Sequence, residues 1–275
     1  MTALDATGAR ALGSPVRGGL RLAVYLLWTL LLIPLQALAV ALRSPLRFRI
    51  PQLYHRVCAA ILGIGVVVRG QRVADGPVLF VSNHSSYLDI TVLGSVIPGS
   101  FVAKSEVAGW PFFGALAKLQ QTVFVERKAR AGVERQRDDL GARLDAGDSL
   151  ILFPEGTSSD GNRTLPFKTA LFAVAARRIG DRPLTVQPVS IAPTRLDGIP
   201  MGIAFRPCYA WYGDMDLAPH LKGVLTDGPI DVCLTWGEAI VFDATTDRKA
   251  ATRLAEERVR AAMRAALAGR GLVQA

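Results

Sequence analysis

The stretch "PVLFVSNHSSYLD", residues 77–89, decides the fold class of this chain, because an apolar run changes there into a polar corner. The apolar run predicts a buried strand that ends near Ser82. The polar residues that follow predict the start of a helix, with Ser85 or Ser86 as its cap. The stretch therefore predicts a strand, a tight corner and a helix in direct succession.

The same alternation of short apolar runs and helical stretches continues from residue 63 onward. Seven runs rich in branched residues predict strands, at residues 65–69, 77–82, 100–104, 122–126, 149–153, 184–193 and 231–236. Helical stretches are predicted at residues 129–145, at residues 166–180 and from about Asp243 to Leu267. Because strands alternate with helices, we expect an α/β domain over residues 63–275, with a central, mostly parallel or mixed sheet of about seven strands flanked by helices.

The composition narrows the class of protein and its partners. Half of the residues are apolar and a fifth are charged, which excludes a disordered or fibrous protein. The net charge of +9 favours anionic partners such as lipid headgroups or an acidic carrier protein. Nucleic acid is not expected, since the chain has no zinc-finger spacing, no long basic run and no base-stacking aromatic motif. Cys58, Cys208 and Cys233 are widely spaced, which predicts reduced thiols in a cytosolic domain.

The N-terminal region, residues 1–62, is predicted to be a membrane-associated helical segment. Residues 22–42 contain no charged residue and are about as long as a helix that crosses the hydrocarbon core. A signal peptide is disfavoured because the apolar stretch is too long and Arg43 follows it directly. Two alternatives remain open: a single span, or a membrane-seated element that Pro34 kinks or splits.

The flanks of this apolar stretch give little information on its orientation. Basic residues lie on both sides, and the positive-inside rule slightly favours the cytoplasm for the side that follows. Residues 44–62 mix basic and apolar side chains, as is typical of a helix at the headgroup interface. We therefore expect attachment to a bacterial inner membrane, with the catalytic domain facing the cytoplasm.

His84 and Asp89 are candidate catalytic residues. His84 is predicted to lie at the carboxyl end of a strand, where open α/β sheets place their sites. Asp89 can fold back toward one imidazole nitrogen and leave the other nitrogen free as a base. A structural histidine with satisfied hydrogen bonds remains an alternative when this pair is considered alone.

A second polar corner follows the strand at residues 149–153. Backbone amides near Glu155 and Gly156 can stabilise an oxyanion, and the Glu155 side chain can hold a substrate hydroxyl, although the same residues can form a simple turn. A serine hydrolase is disfavoured because the chain has no GxSxG sequence. A metal site at His84 is disfavoured because the other two histidines, His55 and His220, lie far away in the sequence.

Four segments resemble, in order and spacing, the four motifs of the glycerolipid acyltransferases, the lysophosphatidic acid acyltransferase family. They are "NHSSYLD" (residues 83–89), "TVFVER" (122–127), "FPEGT" (153–157) and "VQPVSIAP" (186–193). The segment "AKSEVAGWPFFG" (103–114) is similar to the region between the first two motifs. The resemblance covers roughly residues 75–195, and it implies a glycerol-3-phosphate acyltransferase-like fold.

The resemblance also implies roles for single residues. His84 would deprotonate an acceptor hydroxyl as it attacks an acyl thioester directly, and Asp89 would orient His84. The other implied positions bind the acceptor or shape the site, and they are Lys104, Arg127, Glu155, Gly156, Thr157 and Pro188. The implied partners are a lyso-lipid acceptor, membrane lipid and an acyl donor, either acyl carrier protein or acyl-CoA. No metal and no cofactor besides this co-substrate is expected.

Two departures from the family pattern bear on the acceptor. Ser158 stands where members that form phosphatidic acid carry an arginine, whose fork matches phosphate, so its loss weakens the case for a phosphate-bearing acceptor. Arg163 or Lys168 could compensate for it. Gln120 stands where the family commonly has glycine.

Two further segments, residues 153–172 and 210–221, resemble the branch that acylates lyso-ornithine lipid, and this acceptor is our expectation. Lysophosphatidic acid remains the alternative. A thioesterase-like hydrolase and a catalytically inactive lipid-binding protein are the remaining possibilities. Asp214 and Asp216 can offer acids to the ornithine ammonium, although a solvated acidic turn is the favoured explanation for them. The basic surface suits acyl carrier protein as donor, since that partner is acidic.

Overall fold

A mixed sheet and the helices around it are seen in a computed structural model that describes residues 13–74, 76–125, 130–176, 183–242 and 246–270. Its strands are β1 (Ile64–Arg69), β2 (Val78–Ser82), β3 (Ser100–Lys104), β4 (Val123–Val125), β5 (Leu150–Leu152), β6 (Leu184–Leu196), β7 (Ile199–Pro200), β8 (Ile230–Trp236) and β9 (Ile240–Phe242). Its α-helices are α1 (Pro15–Ala41), α2 (Leu46–Leu62), α3 (Leu88–Val96), α4 (Phe113–Leu119), α5 (Arg130–Asp145), α6 (Leu217–Thr226) and α7 (Arg248–Leu267). Short 3₁₀ segments cover Ser105–Gly109, Thr169–Ala176 and Ile203–Cys208.

The strand order is β1-β8-β6-β2-β5-β3-β4, with β7 and β9 paired to β6. Strands β6, β2, β5, β3 and β4 are parallel neighbours, and β6 and β8 are antiparallel. Each of the seven predicted strands is present, so the predicted mixed α/β sheet is confirmed. Because five strands run the same way, their carboxyl ends meet at one edge of the sheet, the carboxyl edge.

The middle of the sheet is covered on both faces, which explains why β2 is apolar from Val78 to Val81. Val78 and Phe80 pack into a core with α2 and α3, while Leu79 and Val81 pack into a second core with α5 and α7. Alternate side chains of a strand point to opposite faces, so a strand between two helical layers needs apolar residues at every position. The continuous run in the sequence is the result.

The helix α1 is continuous through Pro34, so the apolar segment is not split as one alternative predicted. In the described ranges it is the one helix long and apolar enough to cross a membrane. It exposes large apolar side chains such as Leu20, Leu27 and Leu30. The division of the chain at residue 63 stays a prediction.

The predicted helix at residues 166–180 is replaced by the 3₁₀ segment Thr169–Ala176, and the end of the predicted range lies outside the described residues. Hydrogen bonds to α7 and within the turn fix the residues at the start of the predicted helix. The Phe167 amide donates to the Glu256 carboxylate of α7, at 2.8 Å, and the Leu171 amide donates to the Lys168 carbonyl three residues back. The attachment to α7 therefore begins a tighter turn rather than an α-helix.

Candidate active site

The corner after β2 is fixed to the neighbouring strand β6 by a buried asparagine. The Asn83 side chain donates to the Ile191 carbonyl and accepts from the Ile191 amide, both at 2.9 Å. A side chain that bonds both backbone groups of another strand replaces a rung of the sheet where β2 has ended. His84, the next residue, therefore starts from a fixed backbone position at the carboxyl edge.

The His84 Nδ1 atom lies 2.9 Å from Asp89 Oδ2, as the sequence spacing predicted. Asp89 lies in the first turn of α3 and is fully buried. Its Oδ2 also accepts the backbone amides of Ser85, at 2.7 Å, and Ser86, at 2.9 Å. A carboxylate bonded by these donors is fixed in place, so it holds the imidazole in one orientation.

The predicted cap of α3 is corrected by the same contacts. The cap residue of α3 is Tyr87, without a side-chain bond, and Ser86 Oγ accepts only the Leu88 amide, at 3.3 Å. The Asp89 carboxylate accepts the amides at the start of the helix instead. One carboxylate thus stabilises the helix start and orients His84.

Tyr209 completes the surroundings of Asp89. Its hydroxyl donates to Asp89 Oδ1 at 2.7 Å, and the residue is fully buried. Burial and the neighbouring carboxylate raise the pKa of Tyr209, so the phenol keeps its proton and remains a donor. Nothing in the sequence spacing marks this residue, because Tyr209 lies 120 positions after Asp89.

The second nitrogen of His84 faces outward. Among the described residues, no hydrogen bond reaches Nε2, and the side chain is 22% exposed. One face of the ring stacks on Phe153, with 4.1 Å between ring centroids and 20° between planes. An oriented imidazole with one open nitrogen is able to take a proton from a hydroxyl that binds beside it.

The loop after β5 is held against His84 by Glu155. The two oxygens of its buried carboxylate accept the His84 amide, at 3.3 Å, and the Leu165 amide, at 3.0 Å. Burial raises the pKa of Glu155 to about 8, while the two amide donors act in the opposite direction. The Gly156 amide donates to the Phe153 carbonyl, at 3.1 Å, and Gly156 has a φ of 74°. Both residues bond within the protein here, and the substrate contacts expected of them stay a prediction.

The other expected binding residues lie at the carboxyl edge or in the loop after β5. Lys104 ends β3, is exposed and pairs in register with Val125 at the end of β4. Thr157 and Arg163 are exposed in the loop after β5. Arg127 lies outside the described residues.

An apolar cavity of about 370 Å³ lies between α1, α2, α3 and α4. Its lining includes Leu26, Leu32, Phe101 and Leu116. Phe101 stacks on Phe153, with 6.4 Å between centroids, and Phe153 stacks on His84, so two aromatic rings separate the cavity from the imidazole. Neither the stacking of Phe153 on His84 nor this cavity is evident from the sequence pattern, because both join segments that are distant in the chain.

Gln120, the unusual residue before the second motif, also lines the cavity. Its side chain is 3.1 Å from His55 Nε2 and donates to the Gly99 carbonyl at the same distance. It therefore joins α2 to the start of β3. A glycine at this position would have no side chain for either bond.

An imidazole oriented by a buried carboxylate at the carboxyl edge of an α/β sheet, with an apolar cavity nearby, is suited to act as a base on an apolar substrate. Comparison with known proteins agrees. Residues 65–192 match a family model described as "Acyltransferase". The chain is 48% identical over 250 residues to a lyso-ornithine lipid O-acyltransferase of Brucella abortus (strain 2308), covering 90% of this chain and 94% of the relative. It is 44% identical to a protein of the same name from Rhizobium meliloti (strain 1021), covering 88% and 84%.

The crystal structure of the 1-acyl-sn-glycerophosphate acyltransferase PlsC from Thermotoga maritima has a similar fold. The TM-score is 0.57 at 24% identity, over 79% of this chain and 78% of that chain. The chain belongs to the acyltransferase family, and the protein is an acyltransferase.

Replacing Tyr209 by phenylalanine is expected to lower kcat about tenfold, because Asp89 Oδ1 loses its shortest hydrogen bond and holds the imidazole less firmly. Loss of such a bond to a charged group corresponds to about 1.5–3 kcal/mol. Initial rates of acyl transfer measure the effect. Tyr212→Phe is the matched control, because Tyr212 is a nearby half-buried tyrosine outside the Asp89 cluster. Equal rates for Tyr209→Phe and wild type would contradict the role of the phenol.

Proposed function

We propose that the protein transfers a fatty acyl group from an acyl thioester to the hydroxyl of lyso-ornithine lipid, giving ornithine lipid. The similarity to two proteins of that name along most of the chain carries the choice of acceptor. Ser158 supports it, since the loop after β5 lacks an arginine at a position where a phosphate would favour one. The His84–Asp89 pair supports the reaction type.

The proposed reaction proceeds in one displacement at His84. The acceptor hydroxyl binds beside Nε2, which takes its proton while the oxygen attacks the thioester carbonyl. The new carbon–oxygen bond forms, the carbon–sulfur bond breaks, and the proton passes from His84 to the leaving thiolate. Asp89 stabilises the imidazolium through Nδ1 during this step. No covalent acyl–enzyme forms.

The donor is proposed to be acyl carrier protein or acyl-CoA, and its acyl chain fits the chemistry of the apolar cavity. Lys104, Arg127 and Arg163 are proposed to attract the carboxylate of the acceptor headgroup or the phosphate of the donor. Lysophosphatidic acid is the second candidate acceptor. Arg163 and Lys168 favour it, because both are exposed in or just after the loop that carries Ser158.

We infer that the enzyme rests on one face of a bacterial inner membrane, on the cytoplasmic side. The contacts of α1 support this location. Near its start the Ser14 amide donates to the Thr226 carbonyl, at 2.9 Å, and near its end Gln36 Nε2 donates to the Leu119 carbonyl, at 2.8 Å. A helix attached to the domain at both ends lies along it, so its exposed leucines meet lipid beside the domain rather than beyond it.

A paired acceptor assay tests the proposed function. Purified full-length enzyme receives acyl carrier protein with a labelled acyl chain, and either lyso-ornithine lipid or lysophosphatidic acid; His84→Ala is the control. We expect label in ornithine lipid, at a rate at least tenfold above that in phosphatidic acid. Label in phosphatidic acid alone would overturn the acceptor, and free labelled fatty acid alone would indicate a hydrolase.

A further inference from the structure

A rigid hairpin extends past the catalytic edge of the sheet. Ser82, the last residue of β2, pairs with Val189, but β6 continues to Leu196. At about 3.3 Å per residue, the tip of β6 lies roughly 20 Å beyond the end of β2. There the chain turns back into β7, with Leu196 paired to Ile199. The two residues between them, Asp197 and Gly198, have φ of 54° and 77°, as a tight hairpin turn requires.

The hairpin tip is apolar and exposed. Residues 198–205, "GIPMGIAF", contain no charged residue. Ile199 is 70% exposed, Ile203 is 77% exposed and Phe205 is 41% exposed. We call these three residues the hairpin patch. Apolar side chains that cluster on a protein surface mark a contact with another apolar phase.

The hairpin patch is held outward by a fixed backbone. The Met201 amide donates to the Thr194 carbonyl, at 2.8 Å, and the Met201 side chain is buried. Arg206, just after the patch, is also buried, and its guanidinium donates to the Pro193 carbonyl. The exposure of the patch is thus a property of the folded chain, and not of a loose loop.

The hairpin patch adjoins the start of α1. The Asp197 amide donates to the Pro229 carbonyl, at 2.8 Å. The same short segment, residues 226–229, accepts bonds from Arg17 and Arg21 of α1 through the Asp227 carbonyl, both at 3.0 Å. Here α1 exposes Val16 and Leu20. The exposed apolar residues of α1 and of the hairpin are therefore joined to the same short segment of the fold, and exposed Arg195 at the base of the hairpin adds a cation for anionic lipid.

We propose that the hairpin patch is a second bilayer contact, inserted among the acyl chains of the leaflet that holds α1. The proposal rests on the proposed function in one respect, that the acceptor is a lipid of a bilayer. Lipid is favoured over a protein partner because the patch adjoins the start of α1, the helix with the exposed apolar residues, and has Arg195 at its base.

The position of the patch gives it a role in acceptor delivery. The chain that leaves Phe205 leads within a few residues to Tyr209, which donates to Asp89, and to Trp211, whose amide donates to the Ser85 carbonyl at 2.8 Å. The hairpin is therefore joined directly to the segment that holds Tyr209 and Trp211 against the His84 corner. An acceptor in the leaflet that the patch enters is thereby kept near this corner.

Flotation of the full-length enzyme with vesicles of phosphatidylcholine and phosphatidylglycerol tests the proposal. We expect the double substitution Ile199→Asp and Ile203→Asp to weaken vesicle binding about tenfold, because two charges replace inserted side chains. Val241→Asp is the matched control. Val241 is 54% exposed but pairs with Thr185 at the opposite edge of the sheet, so it should leave binding unchanged. Equal binding of the double variant and wild type would overturn the proposal.

A label at the patch gives an independent measurement that leaves the hairpin's charge unchanged. An environment-sensitive fluorophore on Ile203→Cys, in a Cys208→Ser background that removes the partly exposed native thiol, should shift to shorter wavelength on vesicles and be quenched by lipids with spin-labelled acyl chains. The same fluorophore on Val241→Cys should do neither. A label at position 203 that is insensitive to vesicles would overturn lipid insertion. So would an Ile199→Asp/Ile203→Asp variant whose oligomeric state in solution differs from that of wild type while its vesicle binding is the same. Neither readout depends on which acceptor is acylated, so a wrong acceptor would leave both results unchanged.

The third test compares the rate of acyl transfer in vesicles with the rate in detergent. The Ile199→Asp/Ile203→Asp variant should acylate an acceptor in vesicles at least fivefold more slowly than wild type, and should match wild type with the same acceptor dispersed in detergent. Equal losses in both media would show a defect of the site itself and would contradict delivery from the bilayer.

Discussion

Replacing His84 by alanine is expected to lower kcat/KM by about 10²- to 10⁴-fold, because a positioned base contributes that range to a proton-transfer step. Folding and membrane binding of the His84→Ala variant should be unchanged. Asp89 keeps the amides of Ser85 and Ser86 and the hydroxyl of Tyr209 as donors, so its buried charge remains satisfied. The measurement is the initial rate of acyl transfer, with the melting temperature and vesicle binding recorded for the same preparation.

His84→Gln is the matched control for this prediction. It keeps a side chain against Phe153 and a group that can bond to Asp89, but it has no basic nitrogen. We expect it to be as inactive as His84→Ala. A fully active alanine variant would disprove the general-base mechanism, while a variant that failed to bind vesicles would show a wider structural role.

Replacing Asp89 by asparagine is expected to lower kcat on the order of 10²- to 10³-fold and to leave KM almost unchanged, because Asp89 is buried and touches no substrate. The amide oxygen can take the place of Oδ2, where three donors meet, and the amide nitrogen can face Tyr209, whose hydroxyl is able to accept. The shape of the site is therefore retained while the negative charge that stabilises the imidazolium is lost.

The stability of Asp89→Asn shows whether the substitution affects catalysis, folding or both. Loss of one charge-assisted bond in the buried cluster costs about 1.5–3 kcal/mol, which lowers the melting temperature of a domain of this size by several degrees. Kinetic constants and a thermal melt on the same sample provide the comparison. An unchanged kcat with a lower melting temperature would assign Asp89 to folding alone.

The strands could be predicted from the sequence because each is short, apolar and bounded by polar residues. The helix at residues 248–267 was predicted within a few residues for a similar reason, since Val259 and Met263 recur at helical spacing and are buried. The segment around Thr169 was predicted wrongly as a helix, because its bond to Glu256 comes from a distant part of the chain. Periodicity detects the face that an element buries and not the partner that holds its end.

The contact between His84 and Asp89 could be predicted because the two residues are close in the chain as well as in space. Tyr209 could not, since its contact with Asp89 joins two distant segments across the fold. Glu155 was predicted to hold a substrate hydroxyl, and this role stays a prediction; its carboxylate accepts the backbone amides of His84 and Leu165. Sequence identifies a residue that is chemically suited to a site; only the fold shows which atoms its side chain meets.

The bonds between Arg17 and Asp227 also set an order of events during synthesis. The two residues are 210 positions apart, and α1 leaves the ribosome long before its partner exists. At roughly 5–20 residues per second, the delay is on the order of ten to forty seconds. During that time α1 can pack against α2, which follows it directly and contacts it through the Thr29 and Tyr54 hydroxyls, but the partner of Arg17 is missing. The residues around Asp227 therefore close onto a pair of helices that left the ribosome long before them.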